Sequence, residues 1–131
     1  MRDVSVRSAG AGLAQTIRIG SHAIRSDEHA DKGGADSGPS PHELLLSSLG
    51  ACTAMTVRLY AERKSWPLKD VHVRLSGRHH GDRFVIERRL HFVGDLDADQ
   101  RARLVDIATR CPVHRTLSGT IEIETSEQKE A

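Results

Sequence analysis

A chain of 131 residues is long enough to bury one hydrophobic core and has little room for a second. Its 19 basic and 18 acidic residues nearly cancel, and one Trp, one Tyr and two Phe supply no stacking platform, so nucleic acid is not an expected partner. No run approaches the ~18 consecutive apolar residues of a membrane span, so no membrane partner is expected either.

Taken in chain order, strands are predicted at 4–6 and 14–19, joined by the turn Ala9-Gly10-Ala11-Gly12, and at 22–25 after Gly20-Ser21. The stretch 26–39 is polar and glycine-rich, the kind of segment that forms lids or stays disordered. Ser40-Pro41-His42-Glu43 reads as a capping box, with Ser40 as N-cap, Pro41 at the first helical position and Glu43 three residues after the cap. The helix that follows, LLLSSLGACTAMTVRLYAERK, has apolar or small residues on every side up to Arg58, which predicts a first half buried all round. Gly50, Ala51 and Ala54 are small enough to let a neighbour approach closely, and Trp66-Pro67 ends the helix.

Two alternating strands come next, 71–75 and 83–93, with Phe84, Ile86, Leu90 and Phe92 on one face and His79-His80-Gly81-Asp82 as the turn. A second capping box, Asp97 to Gln100, opens a helix that places Leu104, Ile107, Ala108 and Cys111 on one side. Pro112 stops it and starts one further short turn capped by Cys111, TIEIET is predicted as a closing strand, and 126–131 as a flexible tail. The order βββαββαβ makes residues 1–131 one α+β domain.

The chemistry lies in the only two cysteines, Cys52 and Cys111. The opening MRDVSVRSAG is charged and carries no apolar stretch, so a cytoplasmic location is expected, where a disulfide is usually transient and catalytic or sensing. A cysteine at a helix N-terminus has a lowered pKa, which favours Cys111 as a reactive thiol. Cys52, mid-helix among apolar residues, is either a small buried hydrophobe or a thiol activated by a cation from elsewhere, with Arg18, Arg25, Arg110 and Arg115 as candidates.

The string GPSPHELLLSSLGACTAMTVRLYAERKSWPL, followed by ATRCPVHRTLSG, resembles the OsmC/Ohr family of thiol-dependent organic hydroperoxide reductases over nearly the whole chain. The resemblance implies an intertwined homodimer in which antiparallel sheets wrap central helices. It implies a peroxidatic role for Cys52 and a resolving role for Cys111, hence a Cys52 sulfenic acid, a Cys52–Cys111 disulfide, and resetting by an external dithiol such as a lipoyl protein or thioredoxin. In the family a glutamate near the start of this helix pairs with an arginine that activates the thiol. His42 stands at that position here with Glu43 beside it, so Glu43 is the catalytic candidate alongside its capping role, and SAGAG, near Arg7, replaces the family's glycine-arginine turn.

No metal or organic cofactor is required. Leu44, Leu45, Leu46, Leu49 and Met55 are expected to line the approach to Cys52, which favours bulky hydroperoxides. Two rival readings stand beside this one: a non-catalytic dimer binding a small apolar ligand between its helices and the 26–39 loop, and a metal site built from Cys52, Cys111, His42 and His114.

Overall fold

The computed structural model describes residues 1–129; Glu130 and Ala131, the end of the predicted tail, lie outside the described residues. The chain forms two compact units, the first Met1–Ser47 and the second beginning at Ser48.

The first unit is an antiparallel meander of β1 (Val4–Ser8), β2 (Gln15–Ile19) and β3 (His22–Ser26). Its register sets Val6 against Ile17 and Ile17 against Ile24, so the alternation seen in sequence becomes one apolar row across three strands. The 26–39 segment, expected to be a lid or disordered, is a closed loop organised on one buried carboxylate. Asp27 accepts the N–H groups of Glu28 at 2.8 Å, Ala35 at 3.1 Å and Ser37 at 3.1 Å, and the Ser37 hydroxyl at 2.6 Å. The Ser26 hydroxyl donates to the Pro39 carbonyl at 2.9 Å, closing the loop's ends. Only glycine fits at 34, where a Cβ would meet the Glu28 carbonyl oxygen at 2.0 Å.

Helix α1 (Pro41–Arg63) starts where the capping box places it. Its buried residues Leu49, Thr53, Val57 and Ala61 form a single ridge at four-residue spacing. All-round burial is therefore not met within this chain, because one hairpin and one helix cover only one side: Met55 remains 66 % and Leu59 52 % exposed. By length and composition alone α1 is apolar enough to cross a bilayer, a property it shares with the central helices of soluble folds.

Strands β4 (Leu68–His80) and β5 (Arg83–Gly94) form a long hairpin closed by Gly81-Asp82, with Gly81 at φ +63°. His79 and His80, expected in the turn, are instead the last residues of β4. Gly50 admits the Leu75 side chain of β4, whose Cδ1 would lie 2.8 Å from any Cβ there, so the small residue does allow close approach. Helix α2 (Ala98–Ala108) carries both reciprocal bonds of its capping box, and Arg101 forks onto the carbonyls of Phe92, Gly94 and Leu96 at 3.0 to 3.2 Å. The core joins Val57 and Ala61 of α1, Phe92 of β5, Leu96, and Leu104 and Ala108 of α2. Complete burial of Val57 and Leu104 contributes roughly 1.5 to 3 kcal/mol each.

Cys111 does not continue the α2 face; it caps the short helix α3 (Pro112–Ser118), as its second predicted role required. The predicted closing strand is absent. Residues 120–125 form no sheet bonds, and Ile121 and Ile123 are 55 % and 82 % exposed. Alternation alone makes no strand without an edge to bond. The result is a mixed α+β fold with two antiparallel sheets and three α-helices among the described residues.

Candidate active site

Three segments within the second unit converge on the thiols: the part of α1 beyond Ser48 supplies Cys52 and Thr53, β5 supplies Arg88, and the start of α3 supplies Cys111 and His114. Both cysteines are free. Thr53, next to Cys52 in α1, lies 3.8 Å from Cys111 Sγ although 58 residues separate the two, and Cys52 is one of the groups that lower the Cys111 pKa. Cys111 is fully buried, whereas Cys52 is half-buried and the more accessible of the two.

A helix begins with N–H groups that lack intrahelical partners, and α3 directs two of them at sulfur. The Val113 N–H donates to Cys52 Sγ at 3.5 Å and the His114 N–H to Cys111 Sγ at 3.4 Å. Cys52 thus receives the backbone donor that its mid-helix position could not supply. Thr53, with no exposed surface, donates its hydroxyl to the Leu49 carbonyl at 2.7 Å and lies 3.8 Å from Cys111 Sγ.

Arg88 sits opposite Leu75 in the hairpin, on the face that carries Phe84, Ile86, Leu90 and Phe92. One arm of its guanidinium donates to Thr53 Oγ1 at 3.0 Å and the other to His114 Nδ1 at 2.9 Å. Because arginine has no acceptor, Nδ1 must be the unprotonated nitrogen of His114. Burial first, and then the Arg88 charge, lower the pKa of His114, which keeps it neutral near pH 7. Among the described residues no carboxylate pairs with Arg88.

Burial is the largest influence on the Cys111 thiol and pushes its pKa up. The His114 N–H, the Thr53 hydroxyl, Cys52 and the Arg88 charge together outweigh it, so the net displacement is downward. A cavity of about 250 Å³ opens beside this cluster, lined by Leu49, Phe84, Ile86 and Leu117 with Arg88 and His114.

Glu43, in the first unit, accepts the Ser40 N–H at 2.8 Å while its own N–H donates to the Ser40 hydroxyl at 3.3 Å, a reciprocal cap. Of the five apolar residues expected around Cys52 only Leu49 lines the cavity, and Leu45 and Met55 are exposed. Arg110 is turned to Asp106 at 2.9 Å, and Arg25 donates to Ser37 at 2.9 Å. Among the described residues no three His, Cys, Asp or Glu side chains gather as a metal would require, so the four-residue metal cluster is not assembled. Sequence reasoning missed Arg88 and Thr53. The available signal was parity, since Arg88 is the one charged residue in the inward series Phe84, Ile86, Arg88, Leu90, Phe92.

Residues 33–126 match the profile of a family described as OsmC-like protein. Among solved structures the chain resembles a putative osmotic stress induced and detoxification response protein from Psychrobacter arcticus, with 20% identity, 88% of each chain covered and a TM-score of 0.77. It also resembles an organic hydroperoxide resistance protein OsmC from Legionella pneumophila, with 18% identity, 91% of this chain and 90% of that one covered and a TM-score of 0.71. A third is the organic hydroperoxide resistance protein OhrB of Bacillus subtilis, with 21% identity, 91% of each chain covered and a TM-score of 0.64. At these identities the likeness establishes the fold. A search of curated proteins gives no match.

Proposed function

The chain belongs to the OsmC-like protein family, and from that premise we propose that it is a thiol peroxidase, reducing organic hydroperoxides to alcohols in defence against oxidative stress. The observation that carries this reading is the placement of two free thiols at the start of α3, each accepting an N–H from that helix. Backbone donors aimed at sulfur favour the thiolate, which is the nucleophile. The names of the Legionella and Bacillus neighbours support the same chemistry.

Cys52 is the peroxidatic thiol, because it is the accessible one of the pair. Its thiolate attacks the distal peroxide oxygen, the O–O bond breaks, and the alkoxide leaves as the alcohol after taking a proton. Cys52 is then a sulfenic acid. Cys111 condenses with it, water departs, and the disulfide is reduced by an external dithiol of the lipoyl or thioredoxin kind. The apolar cavity beside Arg88 and His114 suits the hydrocarbon tail of an organic hydroperoxide. The enzyme works as a homodimer in the cytoplasm and needs no cofactor. Glu43 supports the start of α1 and takes no part in the chemistry.

One equivalent of cumene hydroperoxide added to the reduced protein is expected to remove both free thiols and yield an intramolecular disulfide by intact mass. Cys52→Ser abolishes consumption, whereas Cys111→Ser still consumes about one equivalent and stalls at sulfenic or sulfinic acid. Equal single-turnover consumption by both variants overturns the division of roles. Unchanged thiols with tight binding of the hydroperoxide favour the ligand-binding reading.

A further inference from the structure

The peroxidase reading leaves the second thiol a harder task than the first, because Cys111 is fully buried and burial opposes its ionisation. A buried thiol that must attack a sulfenic acid needs a charge nearby. The part-buried Arg88 is such a charge. No carboxylate neutralises it among the described residues, and its two arms are fixed by Thr53 at 3.0 Å and His114 at 2.9 Å. Thr53 Oγ1 in turn lies 3.8 Å from Cys111 Sγ. We propose that Arg88 is the positioning residue of the resolving step, holding Cys111 ready as a thiolate both by its charge and through the Thr53 hydroxyl.

Thr53 has one hydroxyl proton and two lone pairs. One lone pair accepts the N–H of Arg88, which polarises the O–H bond, and the proton is donated to the Leu49 carbonyl in the resting geometry. When Cys111 ionises, the same proton is within reach of its sulfur. His114 serves as the other anchor. As a neutral ring accepting at Nδ1 it fixes the guanidinium without adding a second positive charge that would repel it. The groups facing Cys111 are therefore Cys52 and Thr53 from α1, Arg88 from β5 and the His114 N–H from α3, while Arg110, next in sequence, is paired with Asp106.

The step itself balances within the pair. Cys111 loses its proton to solvent, its thiolate attacks the Cys52 sulfenic sulfur, the S–S bond forms and the S–O bond breaks. Hydroxide leaves and is protonated to water. Cys111 sulfur is oxidised and Cys52 sulfur reduced, the oxidising equivalent having come from the hydroperoxide.

The inference rests on the reading of the cysteines as reacting thiols, but its test needs no peroxide. Thiolate ultraviolet absorbance, titrated in a Cys52→Ser background, reports the Cys111 pKa without requiring reagent access to a buried sulfur. Arg88→Gln, which keeps amide donors for Thr53 and His114 and removes the charge, is expected to raise that pKa beyond titration error, and Arg88→Lys to restore part of the shift. If Arg88→Gln fails to fold, Arg88→Met, unbranched and uncharged, reads the same loss of charge, and an unmoved midpoint there overturns the proposal. With both thiols present, each unit of rise lowers the thiolate fraction about tenfold and raises nucleophilicity about threefold, so disulfide closure slows by about threefold per unit near pH 7. A shifted titration without any peroxide consumption leaves Arg88 in place and removes the peroxidase reading. Peroxide consumption with an unmoved Cys111 titration does the reverse.

Discussion

Glu43 is offered by the sequence for two tasks, and its side chain is engaged in one. Its carboxylate holds the Ser40 N–H while the Ser40 hydroxyl accepts the Glu43 N–H. The Ser40 N–H is the largest cause of its lowered pKa, followed by the Ser40 hydroxyl, with burial opposing and His29 assisting. Ser40→Ala removes one half of that cap and is expected to cost about 1 kcal/mol in denaturant unfolding. Glu43→Ala should lower the unfolding midpoint and leave hydroperoxide consumption per thiol unchanged; lost consumption at unchanged stability would make Glu43 a catalytic group. This pair was legible because all its partners lie within one turn of helix. Arg88 was not, because Thr53 and His114 are 35 and 26 residues away along the chain. A strand pattern shows that position 88 faces inward. It does not show which helices supply the acceptors that let a guanidinium stay there.

At the scale of elements, local signals translated well where the physics is local. Both capping boxes, the meander and the β4–β5 hairpin follow from residues that satisfy each other within a few positions. The closing strand does not form because its hydrogen bonds would have to come from elsewhere, and the 26–39 segment reads in sequence as a lid or a disordered loop because glycine and polar residues do not reveal that one carboxylate gathers them. That carboxylate makes the loop pH-sensitive. Asp27 is held down from 3.8 to about 2, first by the Ser37 hydroxyl and then by the Ser37 and Glu28 N–H groups, with burial opposing and the Ala35 N–H also lowering it. A lowered carboxylate pKa means that the unfolded loop binds the proton more tightly, so the contribution of Asp27 is complete above about pH 4 and is lost as pH falls towards 2. Amide exchange at Ala35 and Ser37, measured against the β2–β3 pairs, should accelerate selectively across that interval. Asp27→Asn should show the acid behaviour already at neutral pH, and uniform exchange throughout the unit would contradict this account.

For the whole molecule, the apolar surface left uncovered bears on the proposed dimer. Helix α1 buries one ridge, and the flank bearing Met55 and Leu59 stays open, as do Ile121 and Ile123 beyond α3. A central helix is stable in water when its apolar residues are covered on both sides, and a second copy of the chain supplies the missing cover at no cost in sequence length. Folding and association are then linked, so the thermal midpoint should rise with protein concentration, as it does for any species stabilised by binding in its native state. Sedimentation at micromolar concentration should report a dimer. Replacing Met55 and Leu59 together by glutamate places two carboxylates in the interface without partners, and uncompensated buried charges cost several kcal/mol. Even about 3 kcal/mol of that cost weakens association more than hundredfold, enough to populate monomer at the concentrations used. A wild-type protein that sediments as a folded monomer, with a midpoint independent of concentration, would mean that the open face of α1 is tolerated in water and that the thiol chemistry is completed within one chain.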